Sequence, residues 1–213
     1  MTAAHPTHEI IHTLTIIAQQ AALSVSPYLR DAVRKGTSFE TKTDFHDSVT
    51  VHDRIVEQAL RGILGNAVLG SLLLGEEAGL SQLRASDSLP DPVAIPSDQE
   101  WSQTAEIVAD LGEHVRWIVD PIDGTSNFAA GMPWINTSIG AEYDGHIVAG
   151  VVYAPLMREL FCADDQDAWY ETPDGSGPLT ADGLDCKGRA VLNNYYPSRK
   201  DLKVNPKLQF PTT

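Results

Sequence analysis

The sequence predicts a layered α/β sandwich, with two N-terminal helices packed on a largely antiparallel sheet. Two helical periods and one hairpin signal carry that expectation. Ile10, Leu14, Ile17, Ala21, Val25 and Tyr28 recur at three- and four-residue steps, the mark of a long amphipathic helix. Ile55, Ala59, Leu60 and Ile63 repeat the pattern in a second helix. Asn136–Glu142 and His146–Tyr153 are apolar runs joined through Tyr143-Asp144-Gly145, and Asp-Gly between such runs signals a hairpin.

In chain order, Pro27 is expected to kink the first helix or to begin its last turn. Thr50 and Asp53 read as the start of the second helix, which ends near Gly65-Asn66. Ser71–Leu74 is short, apolar and bounded by glycine, the pattern of a buried strand. Residues 78–100 hold three prolines and no sustained period, so they read as a surface excursion. Trp101, Ala105, Val108 and Leu111 suggest a helix before a strand at Val115–Val119. Glu159–Ala163 and Ala168–Glu171 read as short strands, followed by a turn at Pro173-Asp174-Gly175. The character changes after residue 186: Arg189–Asn193 reads as one more strand, and Tyr195–Thr213 as an ill-packed tail.

The chain has 213 residues, 42% hydrophobic and 21% charged, which suits one large globular domain or two small ones. Its net charge of −14, with no clustered Lys or Arg, argues against a nucleic-acid partner. An acidic surplus also repels an anionic substrate, unless bound divalent cations reverse the local field. Cys162 and Cys186 form no Cys-x-x-Cys pair, so free thiols in a reducing cytoplasm are expected. No basic region followed by an apolar one opens the chain, and no run reaches membrane-spanning length. Asn136-Thr137-Ser138 matches a glycosylation sequon, which has no secretory context here.

Three acidic clusters carry the chemistry. Residues 117–128 run Trp-Ile-Val-Asp-Pro-Ile-Asp-Gly-Thr-Ser-Asn-Phe, placing Asp120 and Asp123 around a proline and the Ile122 carbonyl. Such a group can hold a hard cation on one side, and Gly124, Thr125 and Ser126, which follow at once, can offer backbone N–H groups to a phosphate on the other. The plainer reading is an acidic turn at a strand end, since Asp, Pro and Gly dominate turns. Leu72-Leu73-Leu74-Gly75-Glu76-Glu77 is a second apolar run stopping at carboxylates, and Asp47, Thr50 and Asp53 form a third cluster.

Taken in this order, the clusters resemble the inositol monophosphatase family of Mg²⁺-dependent, typically lithium-sensitive phosphatases. The resemblance runs through Lys42, Asp47-x-Val-Thr50-x-x-Asp53-x-x-x-Glu57, Gly75-Glu-Glu77 and Asp120-Pro-Ile-Asp-Gly-Thr-x-Asn-Phe128. It continues through Ile139-Gly140 and Gly150-Val-Val-Tyr-Ala-Pro155, covering roughly residues 8–185. It implies a phosphomonoesterase that hydrolyses a small phosphorylated metabolite by in-line attack of a metal-activated water, with two or three Mg²⁺ ions and inhibition by Li⁺. Glu76, Asp120 and the Ile122 carbonyl would hold the first ion, and Asp120 with Asp123 the second. Thr125 and Glu76 would orient the water, and Asp47 would position Thr125 or help a third ion. The substrate phosphate would lie against Gly124, Thr125 and Asp123. Lys42, Thr50, Asp53 and Glu57 would hold structure, Asp53 as a helix cap alone, with Glu77 a neighbour of the first ion. Ser126 stands where the family often has Thr.

The same resemblance exposes a departure. The family's later Trp-Asp-x-Ala-Ala-Gly motif, whose Asp completes the second metal site, is absent from these residues. Residues 1–186 would then be an N-terminal metal-binding α/β domain and residues 187–213 a poorly ordered stub of a truncated second α/β layer. Expected consequences are an exposed apolar flank, a weakened second metal and weak or absent turnover. The substrate would be inositol-1-phosphate-like, with histidinol phosphate close behind; a non-catalytic cation- or phosphate-binding homologue is the alternative. A homodimer is expected from the family.

The remaining polar residues have simpler readings. His46 and His52 read as exposed loop histidines beside the first cluster. His8 and His12 sit at i,i+4 in His8-Glu9-Ile-Ile-His12, a zinc-like spacing with no third ligand in reach of the sequence, so a solvated helix start is expected. Trp134 reads equally as the mouth of a substrate site or as core.

Overall fold

Helix α1, His8–Lys35, buries Leu14, Ile17, Ala21 and Val25 of the predicted stripe together with Ile11, Ala18, Ala22 and Leu29, while Ile10 and Tyr28 are only partly covered. The structure, a computed structural model, describes residues 5–35, 39–41, 48–84, 107–108 and 110–179, with the strands at 39–41 and 48–50 described by backbone only. All of these fall within one unit, Met1–Leu179. The predicted helix at Trp101–Leu111, Cys186 and the strand at Arg189–Asn193 fall wholly or mostly outside the described residues. The helix is longer than expected, because it continues eight residues past Pro27 to Lys35. A proline removes one i→i−4 hydrogen bond, and the apolar stripe on both sides of it keeps the helix seated on the core.

Strands β1 (Phe39–Thr41) and β2 (Ser48–Thr50) form a small antiparallel pair that leads into α2, Val51–Ala67. The other eight strands form one sheet: β3 (Leu72–Gly75), β4 (Gly79–Gln82), β5 (Val115–Asp123), β6 (Asn136–Tyr143), β7 (His146–Ala154), β8 (Glu159–Ala163), β9 (Ala168–Thr172) and β10 (Gly175–Pro178). Their order is β10-β9-β8-β7-β6-β5-β3-β4, with only β3 and β5 parallel. The expected largely antiparallel sheet is therefore present, and the parallel β3–β5 pair makes it mixed. The β6–β7 turn uses Asp144 and Gly145, both at positive φ (47° and 86°), which matches the twist of a two-residue hairpin.

Helices α1 and α2 pack together on one face, α1 mainly over β6 and β7 and α2 over β5. Trp117, Val119, Leu73, Ile139 and Val151 point into this layer. Trp117 is fully buried and its indole N–H finds Ser71 Oγ at 3.2 Å, so this aromatic side chain leaves no stranded donor. On the opposite face the register aligns Leu74, Ile118, Gly140 and Gly150 in one row and Val152, Phe161 and Tyr170 in another. Leu74 and Val152 remain more than a third exposed there. Two sequence expectations change. Ser71–Leu74 is buried on one face only, because alternate side chains of β3 point away from the helices. The excursion after residue 78 begins with a strand, β4, which borrows its ladder from β3 despite a glycine start.

Candidate metal centre

The parallel register between β3 and β5 assembles the acidic residues. Gly75 pairs with Val119, so Glu76 leaves β3 level with Asp120 on β5. Beyond Asp120 the ladder shifts: Asp120 faces Ser138 and Asp123 faces Asn136, three residues of β5 set against two of β6. Such a bulge re-aims the strand, and it is where a sheet tolerates a proline. Pro121 sits there, its carbonyl accepting the Thr137 hydroxyl at 3.0 Å. The result is an exposed Asp123 side chain next to a half-buried Asp120.

Gly124 turns the chain out of the strand in the left-handed region, φ 88° and ψ 39°. A side chain there would also meet the Trp134 carbonyl at 2.8 Å, so glycine is required twice over. Helix α3, Thr125–Ala129, follows, and Asn127 Nδ2 donates to the same Trp134 carbonyl at 2.8 Å. With only five residues, α3 supplies little macrodipole. Trp134 is 63% exposed, which excludes the core reading.

Thr125 Oγ1 lies 3.2 Å from Asp53 Oδ1 and 3.0 Å from the Ile122 carbonyl, two acceptors for its single proton. Asp53 is thus more than a helix cap. It is 1% exposed in the first turn of α2, and it reaches across to the residue that follows the acidic turn. Asp47 and Lys42 lie outside the described residues. Glu57 takes the structural role foreseen for it: Oε2 accepts the Glu77 N–H at 2.8 Å and Oε1 the Ala78 N–H at 3.1 Å. Its carboxylate occupies the space a Gly75 side chain would need, with contacts of 2.5 to 2.6 Å to an added Cβ. Gly75 and Glu57 therefore fix the turn that carries Glu76 and Glu77.

The electrostatics single out Asp120. Burial pushes its carboxyl up to about 7, Glu76 and then Asp123 push the same way, the Ile122 N–H opposes them, and Asp53 adds a small rise. Its Oδ1 is buried with no hydrogen-bond partner. An orphaned acceptor among acidic oxygens is a costly arrangement for a protein by itself. The donors here are carboxylates and a carbonyl, with no nitrogen or sulfur, and that set fits a hard divalent cation such as Mg²⁺.

His52 departs from its sequence reading. It lies in the first turn of α2, half-buried, with Nδ1 at 2.6 Å from the Tyr28 hydroxyl and its ring edge-on to Phe128. Burial lowers its pKa, and Asp53 opposes that shift. The histidines of the first helix are exposed, as expected, but each meets an acid across the fold: His8 meets Asp165 at 2.8 Å and His12 meets Asp164 at 3.1 Å. No local pattern announces contacts across such separations. For Asp53, only its place in the first turn of α2 hints at its contact.

The model of the inositol monophosphatase family matches residues 11–194. An inositol-1-monophosphatase of Mycobacterium bovis is 37% identical over 151 residues, covering 70% of this chain and 44% of that protein. The crystal structure of the extragenic suppressor protein suhB from Bartonella henselae superposes with a TM-score of 0.56 at 26% identity, covering 80% of this chain and 54% of that one. Mycobacterium tuberculosis SuhB gives the same TM-score, 0.56, at 26% identity, covering 82% and 54%. The chain spans about half the length of the relatives it matches.

Proposed function

Because this chain belongs to the inositol monophosphatase family, we propose that it carries the metal-binding half of a Mg²⁺-dependent phosphomonoesterase. One observation supports this reading above the others: a buried Asp120 oxygen without a partner, crowded by Glu76 and Asp123. Glu76, Asp120, the Ile122 carbonyl and Asp123 would hold the cations, which when bound neutralise phosphoryl charge and lower the pKa of a water. The chain's own residues do the positioning. The Thr125 proton is engaged by Asp53 and the Ile122 carbonyl, which leaves the hydroxyl oxygen to accept a hydrogen bond from water. The bulge aims Asp123 outward, and Gly124 lets the backbone turn closely enough for its N–H and that of Thr125 to face a phosphate. Asp47 would assist Thr125. The substrate class is a small phosphorylated polyol of the inositol-1-phosphate kind, with histidinol phosphate next; Li⁺ inhibition, a homodimer and a cytoplasmic setting complete the reading.

A second reading is a cation- or phosphate-binding homologue without turnover. The same acidic oxygens that would hold a cation do not by themselves require turnover. Phosphate release with Mg²⁺ on inositol phosphate and histidinol phosphate, with Asp123→Asn as control, separates the two. Turnover lost in the variant supports the enzyme. Mg²⁺ binding without turnover, also in a chain extended at the C-terminus, supports the binder.

A further inference from the structure

The N-terminal end of α1 and the β8–β9 turn meet away from the acidic centre, three strands along the sheet from β5, about 14 Å at the usual strand spacing. His8 and His12 present two imidazoles from one helix face, ring centroids 5.7 Å apart. Asp164 faces them from the turn, and its side chain is only 2% exposed. Asp164 Oδ1 is held by the Gln166 and Asp167 N–H groups, both at 2.9 Å, which fixes Oδ2 on His12 at 3.1 Å. One ligand atom from each of His8, His12 and Asp164 lies within 4.8 Å of the others.

We propose that His8, His12 and Asp164 form a second cation site, selective for a borderline divalent ion such as Zn²⁺ and independent of the Mg²⁺ centre. Two imidazoles and one carboxylate are the donor set that Zn²⁺ prefers and Mg²⁺ does not. A tetrahedral ion needs its ligand atoms about 3.3 Å apart at usual bond lengths, so the cluster must tighten by about 1.5 Å. Half-exposed histidine side chains can supply that movement, at 41% and 50% exposure, while the hydrogen-bonded aspartate stays in place. Asp165 and Asp167 on the same turn add a negative field. That field opposes the positive end of the helix, which by itself would disfavour a cation. The bound ion would clip the start of α1 to the far strands of the sheet, with an open fourth position for water.

The sequence spacing alone lacked a third ligand, and the fold supplies one from 152 residues away. Trp169 makes the site observable, because its ring centroid lies 6.2 Å from that of His12. The test is Cu²⁺ and Zn²⁺ titration of the full chain in millimolar Mg²⁺, which keeps the carboxylate centre filled. One equivalent of Cu²⁺ should quench Trp169 emission and show nitrogen hyperfine splitting from two imidazoles, and Zn²⁺ in large excess should compete with it. His12→Ala should weaken binding about 100-fold. Asp164→Asn, which retains an acceptor for the turn, should weaken it by about tenfold. Asp123→Asn, which touches the carboxylate centre, should leave this copper titration as it is. Quenching that survives in both His12→Ala and Asp164→Asn, or that vanishes in Asp123→Asn, overturns the assignment. So does the absence of binding at micromolar ion.

Discussion

Glu57 and Asp120 serve two neighbouring turns under opposite conditions. At the β3–β4 turn, both oxygens of the buried Glu57 carboxylate accept backbone N–H groups, and a glycine makes room for them. At the β5–α3 turn, Asp120 keeps a buried oxygen without a donor and faces two other acids. A saturated carboxylate holds a turn, whereas a starved one is a place for a cation. The difference separates a turn-holding acid from the proposed cation ligand in a chain with 29 acids, where a count cannot.

The comparison can be broken at its structural end first. Glu57→Gln sets an amide NH₂ against one of the two backbone donors, and it should cost about 2–3 kcal/mol in a denaturant unfolding series. A loss below about 0.5 kcal/mol would show that the turn holds itself. Gly124→Ala combines a positive φ with the close Trp134 carbonyl, and about 2 kcal/mol of destabilisation is expected by the same measurement. Thr125→Val leaves Asp53 without that donor. It should cost about 1 kcal/mol in stability and lower any turnover much more than it lowers Mg²⁺ affinity.

Asp120→Asn gives a stability change no larger than that of Thr125→Val, and the sharpest contrast, because its sign is reversed. The carboxyl titrates near 3.8 when unfolded and at about 7 when folded without metal. In chelator its contribution is therefore fully present below the lower value and lost as pH rises through the upper one. The variant should match the parent near pH 4 and exceed it near pH 8. After discounting for solvent screening the gain is about 1 kcal/mol, roughly 2–4 °C in thermal midpoint. Added Mg²⁺ should raise the parent's midpoint and leave the variant's unchanged. An Asp120→Asn protein that is less stable in chelator at pH 8 would contradict the account of that turn.

Much of the fold was legible because it is written locally. The α1 stripe and the Asp144-Gly145 hairpin depend on neighbours in sequence, and both are where the pattern puts them. Strands β4 and β10 were not legible. Gly79-Leu-Ser-Gln82 and Gly175-Ser-Gly-Pro178 have little strand propensity, and each is held by the ladder of the strand beside it. For the site, motif resemblance picked out Glu76, Asp120 and Asp123 together; the β3–β5 register sets Glu76 level with Asp120, and the β5–β6 shift turns Asp123 outward. The contact of Asp53 with Thr125 was not legible, because the two lie 72 residues apart. His52 was misread as exposed because nothing nearby in sequence encodes the Tyr28 and Phe128 contacts.

The parallel seam between β3 and β5 also bears on the order of folding. Strand β5 reaches β6 through a short connection, but it pairs with β3 only after closing a segment of about 40 residues between them, the slow kind of contact. The acidic cluster straddles that seam, so it comes into being only when β5 has been captured on both sides. A cation then has nothing to bind in the early chain. It should leave the refolding rate of the domain almost untouched and act as a lock, slowing the escape of β5 once the sheet is complete.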